Sequence, residues 1–496
     1  MYLTLALALT AVAPQPRDSV ECVRTTPVAA THTAAEWLAQ ARAAVGWTRA
    51  AGRVLRLHAV DGVVQSYQSD RTYPPFFLMY QTQDVWLDLG SGVERQGNAA
   101  TVYPSAEFPG GAVLNTEWAT VQVRDTIVRP APPLHADALE HRALDPWTVL
   151  TDWSADSAVR VLGACRYRDY GRVALERRGA FGPERLLVDP KTAYPVALIR
   201  VEPHYLWGQV RVEYVYSTWI ETQRISYAGA TFRLTDGTVD IARTVTTATL
   251  LPRDSAPGLA LPTGTPPMTP AVPVFLIPTT PDTIRVGPNT FLLKNRGFTE
   301  AVTLVHDTVI VFDATQGDAR AQADSAWIGR LFPGRHPILV VVTDLAWPHV
   351  AGVRFWVASG ATIVSHRASR AFLDAVLARH WTASPDRLEQ SRRRARLVFR
   401  PVTDSLRLAG GAVTLYPIDG IASEGALMGF LRDDRFLWGS DYVQSLSEAT
   451  QYGREVATAA RRVGIAPDRL AAEHLPLSEW ATLVHVLAAP DSVPHS

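Results

Sequence analysis

The sequence predicts an α+β protein: a β-rich antiparallel-sheet domain followed by a four-layer αββα sandwich. Three patterns predict it. The first half is dominated by stretches in which apolar and polar residues alternate, the period of a half-buried strand. Residues 251–273, LPRDSAPGLALPTGTPPMTPAVP, then carry seven prolines and no periodicity, a composition that favours extended, semi-rigid chain. Beyond them two groups of strands have helical patterns between and after them, which suits two stacked sheets with helices outside. The expected organisation is a signal-like segment and arm over 1–30, a β-rich domain over 31–250, a proline-rich linker over 251–273 and the sandwich over 274–490.

Length and composition agree with two cores. The chain has 496 residues, 47% hydrophobic and 19% charged, with a formal net charge of zero. Nothing global draws it to nucleic acid or to an anionic membrane surface. Lysine occurs only at Lys191 and Lys294 among 48 basic residues, an Arg skew that points to a GC-rich genome rather than to phosphate binding. Leu3 to Ala13 is an apolar run of signal-peptide length ending in Ala11-Val12-Ala13, so an exported, periplasmic or envelope-associated bacterial protein is expected. No other stretch approaches the roughly 18 apolar residues a membrane span needs. The two cysteines, Cys22 and Cys165, are either one disulfide in an oxidising compartment or two separate thiols.

In chain order, 34–47 reads as an amphipathic helix with Trp37, Ala41, Ala44 and Val45 on one side. Strands are expected at 54–60, 63–69, 85–90 and 120–128, and a helical insert at 134–165 carrying Leu139, Leu144, Trp147 and Leu150. From Tyr167 to Leu251 the chain is strand and turn, with turn signals at Gly182-Pro183, Asp189-Pro190 and Asp236-Gly237. Its strand rhythm resembles the half-barrel of bacterial outer-membrane lipoprotein carriers, which implies either an apolar ligand groove or a plain support domain. In the second half, strands are expected at 291–295, 301–306 and 308–314, the last ending at Asp313, and a helix at 319–331. The Arg-rich run 385–396 interleaves Asp and Glu and reads as a solvated helix face. Strands follow at 397–402, 412–417, 426–431 and 435–438, then a helix at 447–463.

The stretch that organises this half is 338–366, ILVVVTDLAWPHVAGVRFWVASGATIVSH. An apolar strand, Ile338 to Val342, stops at Thr343-Asp344, and His349, Gly352 and His366 follow. Strands that end at carboxylates and imidazoles are where α/β folds hold ligands. The spacing resembles the signature loop of the metallo-β-lactamase fold, T-H-x-H-x-D-H-x-x-G, and the likeness extends over about 286–487. Thr343, His349 and Gly352 keep the frame, while Asp344, Ala346 and Pro348 stand where two His and one Asp are expected. Ala422 takes a further His position in IASEG. Gly439-Ser440-Asp441 matches the bridging Asp, and His474 in AAEHLPLSEW matches the last His.

The resemblance therefore implies that one metal site is gone and that the other keeps His349, Asp441 and His474. Those ligands would suit one Zn²⁺ or Fe²⁺ ion. Asp344 is expected as a fourth ligand or as a base. Ordinary structural uses exist as well: His349 at a helix start, Asp441 satisfying loop donors, His474 packed in the core. Trp347, Trp356, Trp438 and Trp480 are expected near the site edge, where they would line an apolar cleft. Two functions follow. One is an exported, degenerate member with reduced or no catalysis that binds a small apolar ligand or a partner. The other is a mononuclear metal-dependent hydrolase of an ester, thioester, lactone or amide. No P-loop, G-x-S-x-G elbow or dinucleotide fingerprint is present in the sequence.

Overall fold

The computed structural model describes residues 32–50, 52–65, 77–89, 93–103, 112–114, 118–122, 126–129, 142–179, 181–255, 259, 280–295, 297–382, 385–392, 394–420, 425–447 and 449–488. The signal-like run, Cys22 and most of the proline-rich stretch lie outside these.

Residues 53–252 build one large antiparallel sheet. Its path runs from Thr126–Arg129 through Trp118–Gln122, Val93–Tyr103, Phe77–Asp88 and Arg53–Gln65. There Thr238–Pro252 pairs in, and the strands then follow in reverse chain order to Arg160–Tyr167. One face is covered by the helices Ala34–Ala44 and Pro146–Ser154, which bury Trp37, Leu38 and Ala41 beside Trp147, Leu150 and Trp153. The first helix begins with a capping box: Thr33 Oγ1 accepts from Glu36 N at 3.2 Å, and Glu36 Oε2 accepts from Thr33 N at 2.6 Å. That face of the sheet thus carries two helices and their tryptophans.

Two sequence expectations change here. Strands expected at 54–60 and 63–69 are one strand through residue 65, and 66–69 lie outside the described residues. Asp61, between the two expected strands, is fully buried and accepts from Arg243 Nε and Nη2, both at 2.8 Å. Gly62 stays in the ladder opposite Tyr80 and Ala242. Of the expected helical insert, 134–141 lie outside the described residues; Pro146–Ser154 is a helix, started by Asp145, whose Oδ1 accepts from Trp147 N at 2.9 Å. Arg160–Tyr167 is strand and holds Cys165, 2% exposed, in its core-facing side.

From Asp282 onward two mixed sheets stack. The first has seven strands in chain order, from Asp282–Arg285 to Val398–Val402. They are antiparallel up to Thr308–Phe312 and parallel from there through Ile338–Val342 and Thr362–His366. The second has six, from Leu406–Leu408 to Ser478–Glu479, with Phe436–Trp438 parallel to Arg469–Ala471. Alternation along each strand sets the layers. Val340 and Val342 pack outward with Ala321, Val353 and Leu373 of the helices Asp318–Leu331, Val353–Ala358 and Arg370–Ala378. Val341 packs inward with Phe312, Leu415, Leu427 and Trp438 between the sheets. On the far side Met428, Leu437 and Leu470 meet Tyr452, Val456 and Leu483 of Gln451–Arg462 and Trp480–Ala488. This is the expected αββα sandwich. The Arg-rich run is a short helix, Arg387–Ser391, after which Arg392 pairs with Glu389 at 2.6 Å.

The two halves meet at the turn between Pro195–His204 and Gly208–Thr222. Leu206, 0% exposed, joins the outer core of the sandwich. Trp207 packs edge-on against Trp347 and Phe372, with ring centroids 5.6 and 5.5 Å apart. Arg379 donates to the Trp207 carbonyl at 2.8 Å and pairs with Asp236 at 2.5 Å. No helix among the described residues is long and apolar enough to cross a membrane.

Candidate metal centre

Every group of the site leaves the C-terminal end of a parallel strand. Asp313 follows Thr308–Phe312, and Thr343-Asp344 follow Ile338–Val342. Ser440-Asp441 follow Phe436–Trp438, and Glu473-His474 follow Arg469–Ala471. Parallel pairing aligns those ends, so loops from Asp313 to His474 in the chain converge by construction. Asp313 and Ser440 take left-handed backbone, φ 70° and 58°, conformations that cost a non-glycine residue energy and that neighbours must hold in place.

The holding groups are hydrogen bonds between the loops. Asp313 accepts from Thr343 N at 2.7 Å and from Trp438 Nε1 at 2.7 Å. Thr343 Oγ1 lies 2.8 Å from Ser440 Oγ, which donates to Asp344 Oδ2 at 2.8 Å. Asp344 Oδ1 accepts from Ala346 N at 2.9 Å and faces His349 Nδ1 at 3.0 Å. A carboxylate only accepts, so Nδ1 carries the proton and Nε2 is turned away from Asp344.

That Nε2 is the centre of the site. It lies 3.9 Å from Asp441 Oδ1 and 3.1 Å from Glu473 Oε2. His474 approaches from the other side, its Nε2 3.5 Å from Asp441 Oδ1 and its Nδ1 3.0 Å from the Gly297 carbonyl, which fixes its proton on Nδ1. His349, Asp441 and His474 each offer a ligand atom within 4.8 Å of the others, as do Asp344, His349 and Glu473. In the second group both Asp344 oxygens are already engaged, which favours the first. His349, Asp441 and Glu473 are at most 5% exposed, whereas 30% of the His474 side chain is open. The site therefore opens on the His474 side. Phe298 lines it, its ring 5.9 Å from His349 and 4.8 Å from His474.

The electrostatics are those of too many buried acids. Burial pushes Asp441 up to about 7, with Asp344 adding to the shift and His349 opposing it. Burial and Asp344 likewise push Asp313 up to about 7. Glu473 is raised by burial and then by Asp313, Asp344 and Asp441. Asp344 goes the other way: burial would raise it, but the His349 charge and its hydrogen bonds hold it below the ordinary carboxylate range. Burial would lower His349, yet Asp344 and Asp441 bring it up to about 9. His474 is lowered by burial and by His349.

The donors fit one divalent cation. Both imidazoles have Nδ1 anchored to an acceptor, which turns each Nε2 toward Asp441, the orientation metal-binding histidines need. Glu473 is fully buried, with its Oε2 3.1 Å from His349 Nε2. A cation would neutralise the acid excess that now raises three carboxyls.

The three expected ligands thus come together, and Asp344 takes a different place from the expected one. With Oδ1 accepting from Ala346 and His349 and Oδ2 from Ser440, it orients His349. Ala346 is buried, and Ala422 lies outside the described residues. His366 Nδ1 accepts from Ala368 N at 3.4 Å and caps a turn. Trp356 and Trp438 are 0% exposed and belong to the cores, so an aromatic cleft built on them does not exist; Trp347 meets Trp207, and Trp480 packs by Gln451–Arg462. Glu473 went unread in the sequence; its only signal was an acid beside His474, just past an apolar strand end.

Among solved structures, the DIM-1 metallo-β-lactamase aligns with 43% of this chain and 97% of its own at 15% identity and a TM-score of 0.34. The metallo-β-lactamase from Pontibacter korlensis aligns over 42% and 98% at 14% identity, TM-score 0.33. That from Hirschia baltica aligns over 42% and 97% at 11% identity, TM-score 0.33. No family model matches the sequence, and no curated protein does. The αββα fold of the C-terminal half rests on its own strand order and layers.

Proposed function

We propose that the sandwich binds one divalent metal ion through His349, Asp441 and His474 and hydrolyses an ester, thioester, lactone or amide with an apolar portion. The observation that carries this is the pair of tethered imidazoles. Asp344 and the Gly297 carbonyl hold the two Nδ1 protons, and both Nε2 atoms converge on Asp441. A bound ion there supplies Lewis acidity toward water and toward an acyl oxygen. The chain's own residues do the positioning. The Thr343–Ser440–Asp344 chain keeps His349 in one ring orientation, and Gln444 Nε2 donates to Asp441 at 3.2 and 3.1 Å. Phe298 offers the open side an apolar wall against the alkyl or acyl part of a substrate. The apolar run Leu3 to Ala13 supports an exported protein.

One observation favours a second reading, a degenerate site that binds a ligand without catalysis. A protonated His349 between Asp344 and Glu473 is itself a cation and could satisfy the cluster alone. Metal content of the full chain, purified without added metal and again after reconstitution, separates the two. About one equivalent, lost in His349→Ala and His474→Ala, supports the hydrolase; none after reconstitution sinks it.

A further inference from the structure

The helix that carries His349 is a single turn, Trp347–Val350, with no side chain capping its start. One turn of helix does not hold itself in place, so its setting comes from what packs on either side. Residues two apart on a helix point about 200° apart, so Trp347 and His349 leave it in opposite directions. On the site side the backbone is tied: Ala314 N donates to the His349 carbonyl at 3.0 Å and Gln316 N to the Pro348 carbonyl at 2.7 Å. On the other side two rings of the first domain meet Trp347. His204 stands edge-on to it, with centroids 5.2 Å apart and planes at 78°, and Trp207 does the same at 5.6 Å and 86°.

The turn that bears those rings is itself fixed. His204 Nδ1 accepts from Leu206 N and Trp207 N, both at 3.1 Å. Arg379 Nε and Nη2 donate to the Trp207 and Gln209 carbonyls at 2.8 and 3.1 Å. Gly208 takes φ 73°, and a Cβ there would run into the Trp381 ring, so glycine is what lets the turn close on the sandwich. Buried Leu206 would join the halves without favouring a direction, whereas edge-on rings prefer one geometry. We propose that Trp207, with His204 beside it, is a positioning residue of the metal centre: through Trp347 the first domain sets the orientation of the His349 ring. This deepens the single-ion reading above and rests on it for His349 as a ligand, but not for the placement of the ring. A change in the strands that carry the turn, Pro195–His204 and Gly208–Thr222, reaches the centre through these rings.

Two readouts on the full chain test it. One needs no metal: with histidine nitrogens labelled, the Nδ1 proton that His349 donates to Asp344 gives an NMR signal, assigned by its loss in His349→Ala. The other is Zn²⁺ affinity by chelator competition. Trp207→Leu keeps apolar bulk and loses the ring edge, so it should shift the His349 signal and weaken Zn²⁺ binding about three- to tenfold. Trp207→Phe should recover most of both. Ile328→Ala, in the same outer core, should lower stability and leave signal and affinity at the wild-type values. If W207L matches wild type in both readouts, or if I328A moves them as far, Trp207 is packing alone and the proposal falls. If wild type binds no Zn²⁺ while W207L still shifts the His349 signal, the single-ion reading falls and the positioning stands. Should W207L not fold, Trp347→Phe shortens the ring that Trp207 meets, and an unmoved His349 signal in that variant overturns the proposal.

Discussion

Replacing Asp344 by Asn removes one charge and almost nothing else. Asp344 receives hydrogen bonds from Ala346 N at 2.9 Å, His349 Nδ1 at 3.0 Å and Ser440 Oγ at 2.8 Å. The amide oxygen can still serve Ala346 and His349, and the Ser440 hydroxyl can turn to accept from the new NH₂ group. A hydrogen bond to an ionised partner contributes about 1.5–3 kcal/mol against about 1 for a neutral one. Orientation of the imidazole therefore weakens by about 1–2 kcal/mol, and metal affinity should drop about 5- to 30-fold. The pH profile gives a second handle. His349 holds its proton to about 9, because Asp344 and Asp441 outweigh the burial that would lower it, and Asp441 is raised by burial to about 7. Both protons must leave before these groups ligate. Wild-type affinity should thus rise about tenfold per pH unit between about 7 and about 9, and more steeply below. In Asp344→Asn the His349 counter-charge is gone, so the plateau should begin nearer neutrality. Chelator competition at steps from about pH 6 to about pH 9 reads both effects. A variant profile that superimposes on wild type in height and in break refutes the positioning role of Asp344.

Three further outcomes concern stability, each read by urea unfolding. Leu206→Ala, at a fully buried position where the halves meet, should cost about 2–5 kcal/mol, more than the same change at any exposed leucine. Asp61→Ala removes the carboxylate 2.8 Å from Arg243 in the sheet interior and should cost about 3–5 kcal/mol, whereas Asp61→Leu with Arg243→Met should recover most of it. His204 Nδ1 accepts from Leu206 N and Trp207 N, both at 3.1 Å, and burial, with Arg233 and Arg379, pushes it down to about 3. Its folded value lies below the unfolded one, so stability should fall as pH drops from about 6.5 toward about 3, by at most about 1.4 kcal/mol per unit. An acid slope that is the same in His204→Asn would show the histidine is not its source.

Much of the sandwich was legible because period-2 patterning states which way each side chain faces. In Ile338–Val342 successive valines do enter opposite cores. The ligand frames were legible for a related reason: each sits just beyond an apolar strand, and parallel strands bring their ends together. What escaped was contact between loops. Asp344 stands in a ligand frame, and only Ser440, 96 residues on, reveals that its second oxygen is taken. Glu473 is an ordinary acid in the sequence until folding buries it against His349, 124 residues earlier. Asp61-Gly62 has turn chemistry locally, and Arg243, 182 residues away, overrides it. Local propensity cannot encode a partner that distant.

The junction turn carries a consequence for synthesis and for dissection of the chain. Leu206 and Trp207 are translated more than 130 residues before Trp347, whose helix Trp347–Val350 bears His349. The large sheet can fold while the sandwich is still being made. It then offers a finished apolar peg to the part that emerges later. A sandwich produced alone would lack Leu206 and Trp207 and so expose the apolar surface they cover beside Trp347, an aggregation liability.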